Sequence, residues 1–118
     1  MAPWEDTLPD IARGLDYAFS DQPGKGGFAM FLSVDEQLIG ATVMLDTGLS
    51  GCVPDHMLLF AAIRKDQRGK GLGTQLIREA LKRCPGDVKL HVEYDNPAMR
   101  LYERLGFENR YAEMRRQR

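Results

Sequence analysis

Apolar runs of strand type recur along this 118-residue chain. Residues 28–34, 38–45 and 58–63 are short apolar stretches rich in residues that favour strands. The polar residues 35–37 separate the first two runs and predict a hairpin between antiparallel strands. Residues 88–94 alternate apolar with polar side chains, which predicts a further strand. The unbroken run at 58–63 is typical of a strand at the centre of the sheet.

Three other segments carry apolar residues at helical spacing. One begins at Pro9 or Asp10, one begins at Thr74, and a short one follows Pro97. Phe107 starts a segment that the pattern predicts to be a final strand. Helices interleaved with strands in this order predict an α/β fold, in which helices pack on a sheet.

The most informative segment joins the central strand to the helix at Thr74. It reads Arg68-Gly69-Lys70-Gly71-Leu72-Gly73. Alternating glycines let the backbone turn tightly and bring several N–H groups close to a ligand. The helix N-terminus adds a partial positive charge, and the two basic side chains add full charges. The segment therefore predicts a phosphate site.

Two common phosphate-binding loops do not match this segment. The P-loop needs Ser or Thr after its Gly-Lys pair, whereas Gly71 follows Gly69 and Lys70. The dinucleotide fingerprint needs a third glycine three positions after the second, whereas Gly73 comes two positions after Gly71. Neither class of nucleotide-binding protein is therefore indicated.

The segment resembles the acyl-CoA-binding core of the GNAT family of N-acetyltransferases, where Arg or Gln is followed by x-x-Gly-x-Gly or Ala. A second signature of that family, Asn-x-x-Ala-x-x-Leu-Tyr-x-x-x-Gly-Phe, is similar to the stretch from Tyr94 to Phe107. The resemblance covers residues 28–114 and includes the strand before the glycines and the helix after them. It implies a GNAT-like mixed sheet flanked by helices.

The same resemblance implies acetyl-CoA as co-substrate, bound mainly by the protein backbone. N–H groups of the glycine segment would hold the pyrophosphate, and the end of the central strand would pair with pantetheine. The expected cofactor-binding residues are Ala61, Ala62, Ile63, Arg64, Arg68, Gly69, Lys70, Gly71, Leu72, Gly73, Thr74, Asn96 and Tyr102.

Acyl transfer from a thioester to an amine needs a neutral nucleophile, a stabilised oxyanion and a proton for the leaving thiolate. By resemblance, a backbone N–H near Ala62 or Ile63 would polarise the thioester carbonyl, and Tyr102 would protonate the coenzyme A sulfur. A phenol suits this step because it is protonated at neutral pH.

The general base is left open among several residues. The family often places Glu on the central strand, and Met57 occupies that position here. The alternatives are His56 or Asp55 at the entrance of the strand and Glu93 or His91 on the neighbouring strand.

Two features depart from the family pattern. Asp95 holds the place of the signature Asn and Asn96 follows it, so either could take that role, and we favour Asn96. The family usually begins with a strand before its first helix, whereas residues 1–9 predict an irregular arm. An N-terminal strand thus missing would leave a sheet edge uncovered, and pairing of that edge with a second copy predicts a homodimer.

Composition limits the other classes of function. The length predicts one domain over residues 1–118, and a formal charge of −1 predicts neither nucleic-acid nor membrane binding. No apolar run is long enough to span a bilayer. Cys52 and Cys84 lack the spacing of a disulfide framework or zinc site, so we expect no metal and a reducing, cytoplasmic location.

Two functional hypotheses follow. The first is an acetyl-CoA-dependent N-acetyltransferase that acts on a primary amine of a small molecule, peptide or protein by direct attack. The alternative is a non-catalytic acyl-CoA-binding sensor or complex subunit of the same fold. Tyr102 favours the enzyme, and the absence of a carboxylate from the central strand favours the alternative.

Overall fold

The computed structural model describes residues 8–22 and 25–118. The irregular arm predicted for residues 1–9, and the absence of a strand before the first helix, therefore concern residues that lie almost wholly outside the described ranges. The elements are α1 (Leu8–Ala18), β1 (Gly27–Val34), β2 (Gln37–Asp46), β3 (His56–Ile63), a 3₁₀ turn (Lys65–Gln67), α2 (Leu72–Lys82), β4 (Val88–Leu90) and α3 (Met99–Arg104).

The four strands form one mixed sheet in the order β1-β2-β3-β4. The first three strands pair antiparallel, and β3 pairs parallel with β4. Asp35 and Glu36 form the hairpin turn between Val34 and Gln37, with φ values of 51° and 66°. Two consecutive positive φ values match the twist of hairpin strands. The predicted mixed sheet with flanking helices is therefore confirmed.

The sheet separates α1 from α2. Leu58 belongs to a buried cluster with Met44 of β2 and with Ile77 and Ala80 of α2. The next residue of β3, Leu59, instead lies against Gly14 of α1. Because successive side chains of a strand point to opposite faces, the two helices cover opposite faces of the sheet.

Two predicted strands are shorter than expected or absent. β4 ends at Leu90 instead of continuing to residue 94, because its pairing with β3 ends there and no described strand covers its other edge. The final strand predicted from Phe107 is wrong, since residues 107–118 contain no helix or strand. The side chains after Phe107 are exposed and mostly charged, so this segment has no apolar face to pack on the sheet.

The outer edge of β1 pairs with no strand among the described residues, so the homodimer stays a prediction. Both cysteines are free: Cys52 is exposed and Cys84 is half-buried. Burial, together with the nearby Asp46 carboxylate, raises the pKa of the Cys84 thiol. Over the described residues, no helix could cross a membrane and no cluster of three or more ligating side chains could hold a metal ion.

Thr42 provides a test of how β2 and β3 are joined. Its side chain is fully buried, and Oγ1 donates a hydrogen bond of 2.8 Å to the carbonyl oxygen of Phe60. Thr42→Val keeps the shape but removes this donor, and we expect the free energy of unfolding in urea to fall by about 1 kcal/mol. Ser33→Ala, at an exposed position of β1, is the control and should change it by less than about 0.5 kcal/mol. If Thr42→Val and Ser33→Ala have the same free energy of unfolding, the hydrogen bond of Thr42 contributes nothing to stability.

Candidate active site

The glycine loop, residues 68–73, joins the C-terminal end of β3 to the N-terminus of α2. Gly69 and Gly71 have φ values of 83° and 76°, in the left-handed region that side chains disfavour. Gly71 is the N-cap residue of α2, and no side chain caps this helix. The helix begins at Leu72, two residues before the predicted start, so the second half of the loop forms its first turn.

Backbone donors of the glycine loop have no backbone acceptor in the described part of the chain. No N–H from Gly69 to Thr74 donates to a backbone acceptor among the described residues, and the first such bond runs from Gln75 to the Gly71 oxygen, at 3.1 Å. A Cβ built on Gly69 or Gly71 would meet no atom within 4 Å. Unpaired donors at a helix N-terminus with space above them can bind an anion.

Basic side chains hold the loop in place. Arg68 donates through Nε to the oxygen of Ile63, the last residue of β3, at 3.0 Å. Lys70 donates through Nζ to Oε1 of Gln67, at 2.9 Å. Arg64 makes two hydrogen bonds to the Asp66 carboxylate, at 2.6 and 2.9 Å, which lower the pKa of Asp66. Arg68 and Lys70 therefore lie in the loop itself, Arg64 precedes it, and Arg68 fastens the loop to the strand.

A gap opens between β3 and β4. Their pairing covers only three residue pairs, from His56 with Val88 to Leu58 with Leu90. From Leu59 to Ile63, β3 therefore has one edge that pairs with no described strand. Of the residues predicted to pair with pantetheine, from Ala61 to Arg64, the first three lie on this free edge, and Arg64 directly follows β3. An extended ligand can hydrogen-bond to such an edge as an added strand does.

Leu59 forms a β-bulge at the point where β3 and β4 part. Val43 pairs with Phe60 and Met44 pairs with Leu58, which leaves Leu59 without a partner on β2. A bulge re-aims backbone groups locally and often lies beside an active site. The sequence contains no signal for it, because one extra residue does not alter an unbroken apolar run.

Asn96 and Tyr102 are linked through the short helix α3. Oδ1 of Asn96 accepts a hydrogen bond from the Ala98 backbone N–H, at 2.9 Å, so Asn96 fixes the start of α3. Tyr102 lies on α3 and packs against the buried cluster, and its ring meets that of Phe107 edge to face at 6.0 Å. Asp95, the other candidate for the family Asn, is exposed.

His56 is the first residue of β3, and its side chain is nearly buried, with a relative exposure of 9%. Nδ1 donates to the Asp46 carboxylate at 3.0 Å, and Nε2 is buried without a partner among the described groups. By strand alternation, His56 shares the face of Leu58, which α2 covers. This placement gives His56 a structural contact and separates it from the α1 face.

An open groove lies on the α1 face, beside the gap between β3 and β4. It has a volume of about 430 Å³ and is lined by Arg13, Gly14, Tyr17, Leu45, Met57, Leu59, His91 and Arg115. Of the four candidate bases, His91 lines this groove, together with Met57, whereas Asp55, His56 and Glu93 do not. We call it the α1 groove.

Sequence reasoning missed most of the α1 groove. Arg13 and Tyr17 come from α1 and Arg115 from the C-terminal segment, and long-range packing alone brings them to β3. Gly14 is the one local signal, because glycine inside a helix costs stability and usually has a packing reason. A Cβ at Gly14 would lie 1.9 Å from Cδ2 of Leu59, so glycine allows α1 to approach β3.

A mixed sheet that parts beside a strand bulge, with a glycine loop after that strand, is the architecture that the resemblance to the GNAT family implies. The family model described as the acetyltransferase (GNAT) family matches residues 1–107. The chain therefore belongs to the GNAT family, and the resemblance inferred from its two signatures is confirmed.

Curated relatives match part of the chain, and solved structures share its fold. Mouse cysteine-rich protein 2-binding protein is 40% identical over 50 residues, which cover 42% of this chain and 6% of the mouse protein. The chain thus spans a small part of the curated relatives it matches. The aminoglycoside N-acetyltransferase AAC(6')-Iy, solved in complex with CoA, matches with a TM-score of 0.69 at 17% identity, over 92% of this chain and 74% of that one. AAC(6')-IG from Acinetobacter haemolyticus matches with a TM-score of 0.68 at 17% identity, over 98% and 83%.

Proposed function

We propose that this chain binds acetyl-CoA along β3 and the glycine loop and transfers the acetyl group to a primary amine. The observation that carries the proposal is the row of N–H groups from Gly69 to Thr74, which have no backbone acceptor among the described residues, after a strand with a free edge. A pyrophosphate at the loop would meet these donors, and pantetheine would extend along the edge toward the bulge. CoA in a solved neighbour of the same fold supports this class of ligand.

In the proposed reaction, the amine nitrogen attacks the thioester carbonyl and the carbon–sulfur bond then breaks. A backbone N–H on the free edge of β3, near Ala62 or Ile63, stabilises the oxyanion. Tyr102 donates its proton to the departing thiolate and is reprotonated from water. The proton lost by the amine passes to a base, for which His91 is favoured because it lines the α1 groove.

A second candidate function is acyl-CoA binding without turnover, in a sensor or a subunit of a complex. Met57 favours it, because an apolar side chain lines the α1 groove where the family often has Glu. An assay of CoA release with a panel of primary amines separates the two. Acetyl-CoA binding without turnover on any amine would support the sensor.

Gly71→Val tests the glycine loop directly. Its φ of 76° strains any side chain, and the new methyl groups would fill the open space above the loop. We expect acetyl-CoA to bind at least about tenfold more weakly by isothermal titration calorimetry, a loss of about 1.4 kcal/mol.

Gly51→Val is the matched control for this experiment. Gly51 has a φ of 81°, and its Cβ would also meet nothing within 4 Å, but it lies outside the glycine loop. The two variants should therefore lose similar stability, and only Gly71→Val should lose affinity. Unchanged affinity in Gly71→Val would contradict the proposed binding site.

A further inference from the structure

The outer edge of β1 carries backbone groups that no strand of the described residues uses. The N–H of Asp46 donates to the oxygen of Gly26 at 2.8 Å, so Gly26 directs its backbone toward β2. In an antiparallel pair, inward-directed and outward-directed residues alternate. The outward-directed residues of β1 are therefore Gly27, Ala29, Phe31 and Ser33. An open groove of about 520 Å³ lies here, lined by residues 28–31 and Arg83.

Apolar side chains stay exposed along this strand and its hairpin. Phe31 is 61% exposed and Val34 is 48% exposed, and Leu38 of the same hairpin is exposed too. Phe28 and Met30 pack against the buried cluster but remain only half-buried. An edge strand that keeps large apolar side chains in water is a surface for pairing with another strand.

The two ends of β1 carry opposite charges. Lys25 precedes the strand and lies 5.9 Å from the centroid of the Tyr17 ring, a contact that does not neutralise its charge. Arg83 adds a second positive charge beside the strand. The turn at the other end favours Asn-Gly, yet it consists of Asp35 and Glu36 with positive φ. A local preference that is broken at an exposed turn indicates that the acidic side chains serve a contact.

We propose that two copies of the chain pair antiparallel through β1, with Met30 opposite Met30 on a two-fold axis. An antiparallel copy places the acidic end of one strand at the basic end of the other. In this register, Phe31 lies opposite Ala29 of the second copy, and Val34 lies opposite its Gly26. Each large exposed side chain thus meets a small residue, and the two-fold axis makes every contact twice.

The charged ends select this register over its neighbours. With the axis at Met30, Asp35 lies opposite Lys25 of the second copy. A two-fold axis on either residue next to Met30 would set Lys25 opposite Ser33 or Gln37 instead. Both of those arrangements lose the pair of opposite charges. Opposite charges placed across from each other stabilise a strand pair, so the Met30 register is favoured.

The size of the interface sets the expected affinity. One strand from each copy buries about 1,000–1,200 Å², at the low end of specific interfaces. We therefore expect a reversible dimer with a dissociation constant in the micromolar range. The glycine loop and the gap lie at β3 and β4, whereas β1 is the opposite end of the sheet. The pairing leaves both candidate active sites accessible and does not depend on the proposed acetyl transfer.

Cysteine cross-linking tests the register. Residues opposite each other in a pair without mutual hydrogen bonds have Cα atoms about 4.5 Å apart, within the range of a disulfide. Cys52→Ser serves as the background, because Cys52 is exposed. In mild oxidant, Met30→Cys should form a disulfide-linked dimer at least about tenfold faster than Ala29→Cys or Phe31→Cys on non-reducing gels. Faster cross-linking of either neighbour would overturn the register.

Sedimentation equilibrium tests the dimer in the unmodified full chain. A monomer–dimer equilibrium is expected between about 1 and 200 μM. Asp35→Asn and Lys25→Gln should each raise the dissociation constant about fivefold, and the double variant should be no weaker than either, because they remove the same pair. Glu103→Gln, at an exposed position of α3, is the control and should leave it unchanged.

Two results would contradict the pairing. Additive effects of Asp35→Asn and Lys25→Gln would show that these side chains do not meet across the interface. A monomer at every concentration would overturn the proposal and leave the edge to another segment of the chain or to a different protein.

Discussion

Replacement of Tyr102 with Phe is expected to lower kcat about 100- to 1,000-fold. The substitution removes only the hydroxyl, and the ring can keep its contacts with Phe107 and the buried cluster. If the phenol protonates the thiolate, the barrier to carbon–sulfur cleavage rises by about 3–4 kcal/mol while the binding of acetyl-CoA is retained. Steady-state CoA release measures kcat, and calorimetry measures the affinity for acetyl-CoA.

Tyr94→Phe is the control for this loss. Tyr94 is 78% exposed and precedes α3, so removal of its hydroxyl should leave kcat within about twofold of wild type. Wild-type turnover by Tyr102→Phe at every pH between 6 and about 9 would show that another group or water delivers the proton.

Gly27→Ala is expected to destabilise the chain by about 3 kcal/mol or more. Gly27 opens β1 opposite Leu45, and its φ is 147°. A Cβ there would lie 2.0 Å from the carbonyl oxygen of Met44 and 3.0 Å from Cα of Leu45. Both neighbours are backbone, so no side-chain rotation relieves the clash, and β1 must shift from β2. Urea denaturation measures the change as a fall in the midpoint at constant slope.

Gly26→Ala separates the cost of an unfavourable backbone φ from the cost of a steric clash. Gly26 has a φ of 127°, but its nearest neighbours would lie 3.6 and 3.7 Å from the new Cβ. This variant should therefore lose only about 1–2 kcal/mol from the backbone conformation. Equal losses for Gly26→Ala and Gly27→Ala would show that β1 adjusts freely and that its close contact with Met44 adds nothing.

Those parts of the fold that depend on local patterns could be predicted from the sequence. Central strand β3, the glycine loop and α2 follow one another in the chain, with only a short 3₁₀ turn between strand and loop, and each has its own periodicity or turn chemistry. The hairpin at Asp35 and Glu36 was predicted for the same reason. Here the local preferences and the observed structure agree.

Features that depend on pairing between distant segments could not be predicted. Alternation over residues 88–94 indicates a strand, but β4 ends at Leu90 because its ladder with β3 ends there. Phe107 is followed by a mostly charged segment that pairs with no strand of the described residues. His56 is polar and stands at a strand end, which suggests exposure, yet Asp46 of the adjacent strand satisfies Nδ1 and lets the ring be buried. The lining of the α1 groove likewise comes from both ends of the chain.

The missing cap of α2 has a consequence for how this protein balances stability against binding. A Ser, Thr, Asp or Asn at the position of Gly71 would add a capping oxygen, but the φ of 76° would strain its backbone by about 1–2 kcal/mol. Its side-chain oxygen would also occupy a donor that the proposed diphosphate needs, and an Asp there would repel the ligand. The N-terminus of α2 therefore has no side-chain cap, and a bound substrate would supply the acceptors that a capping residue otherwise provides.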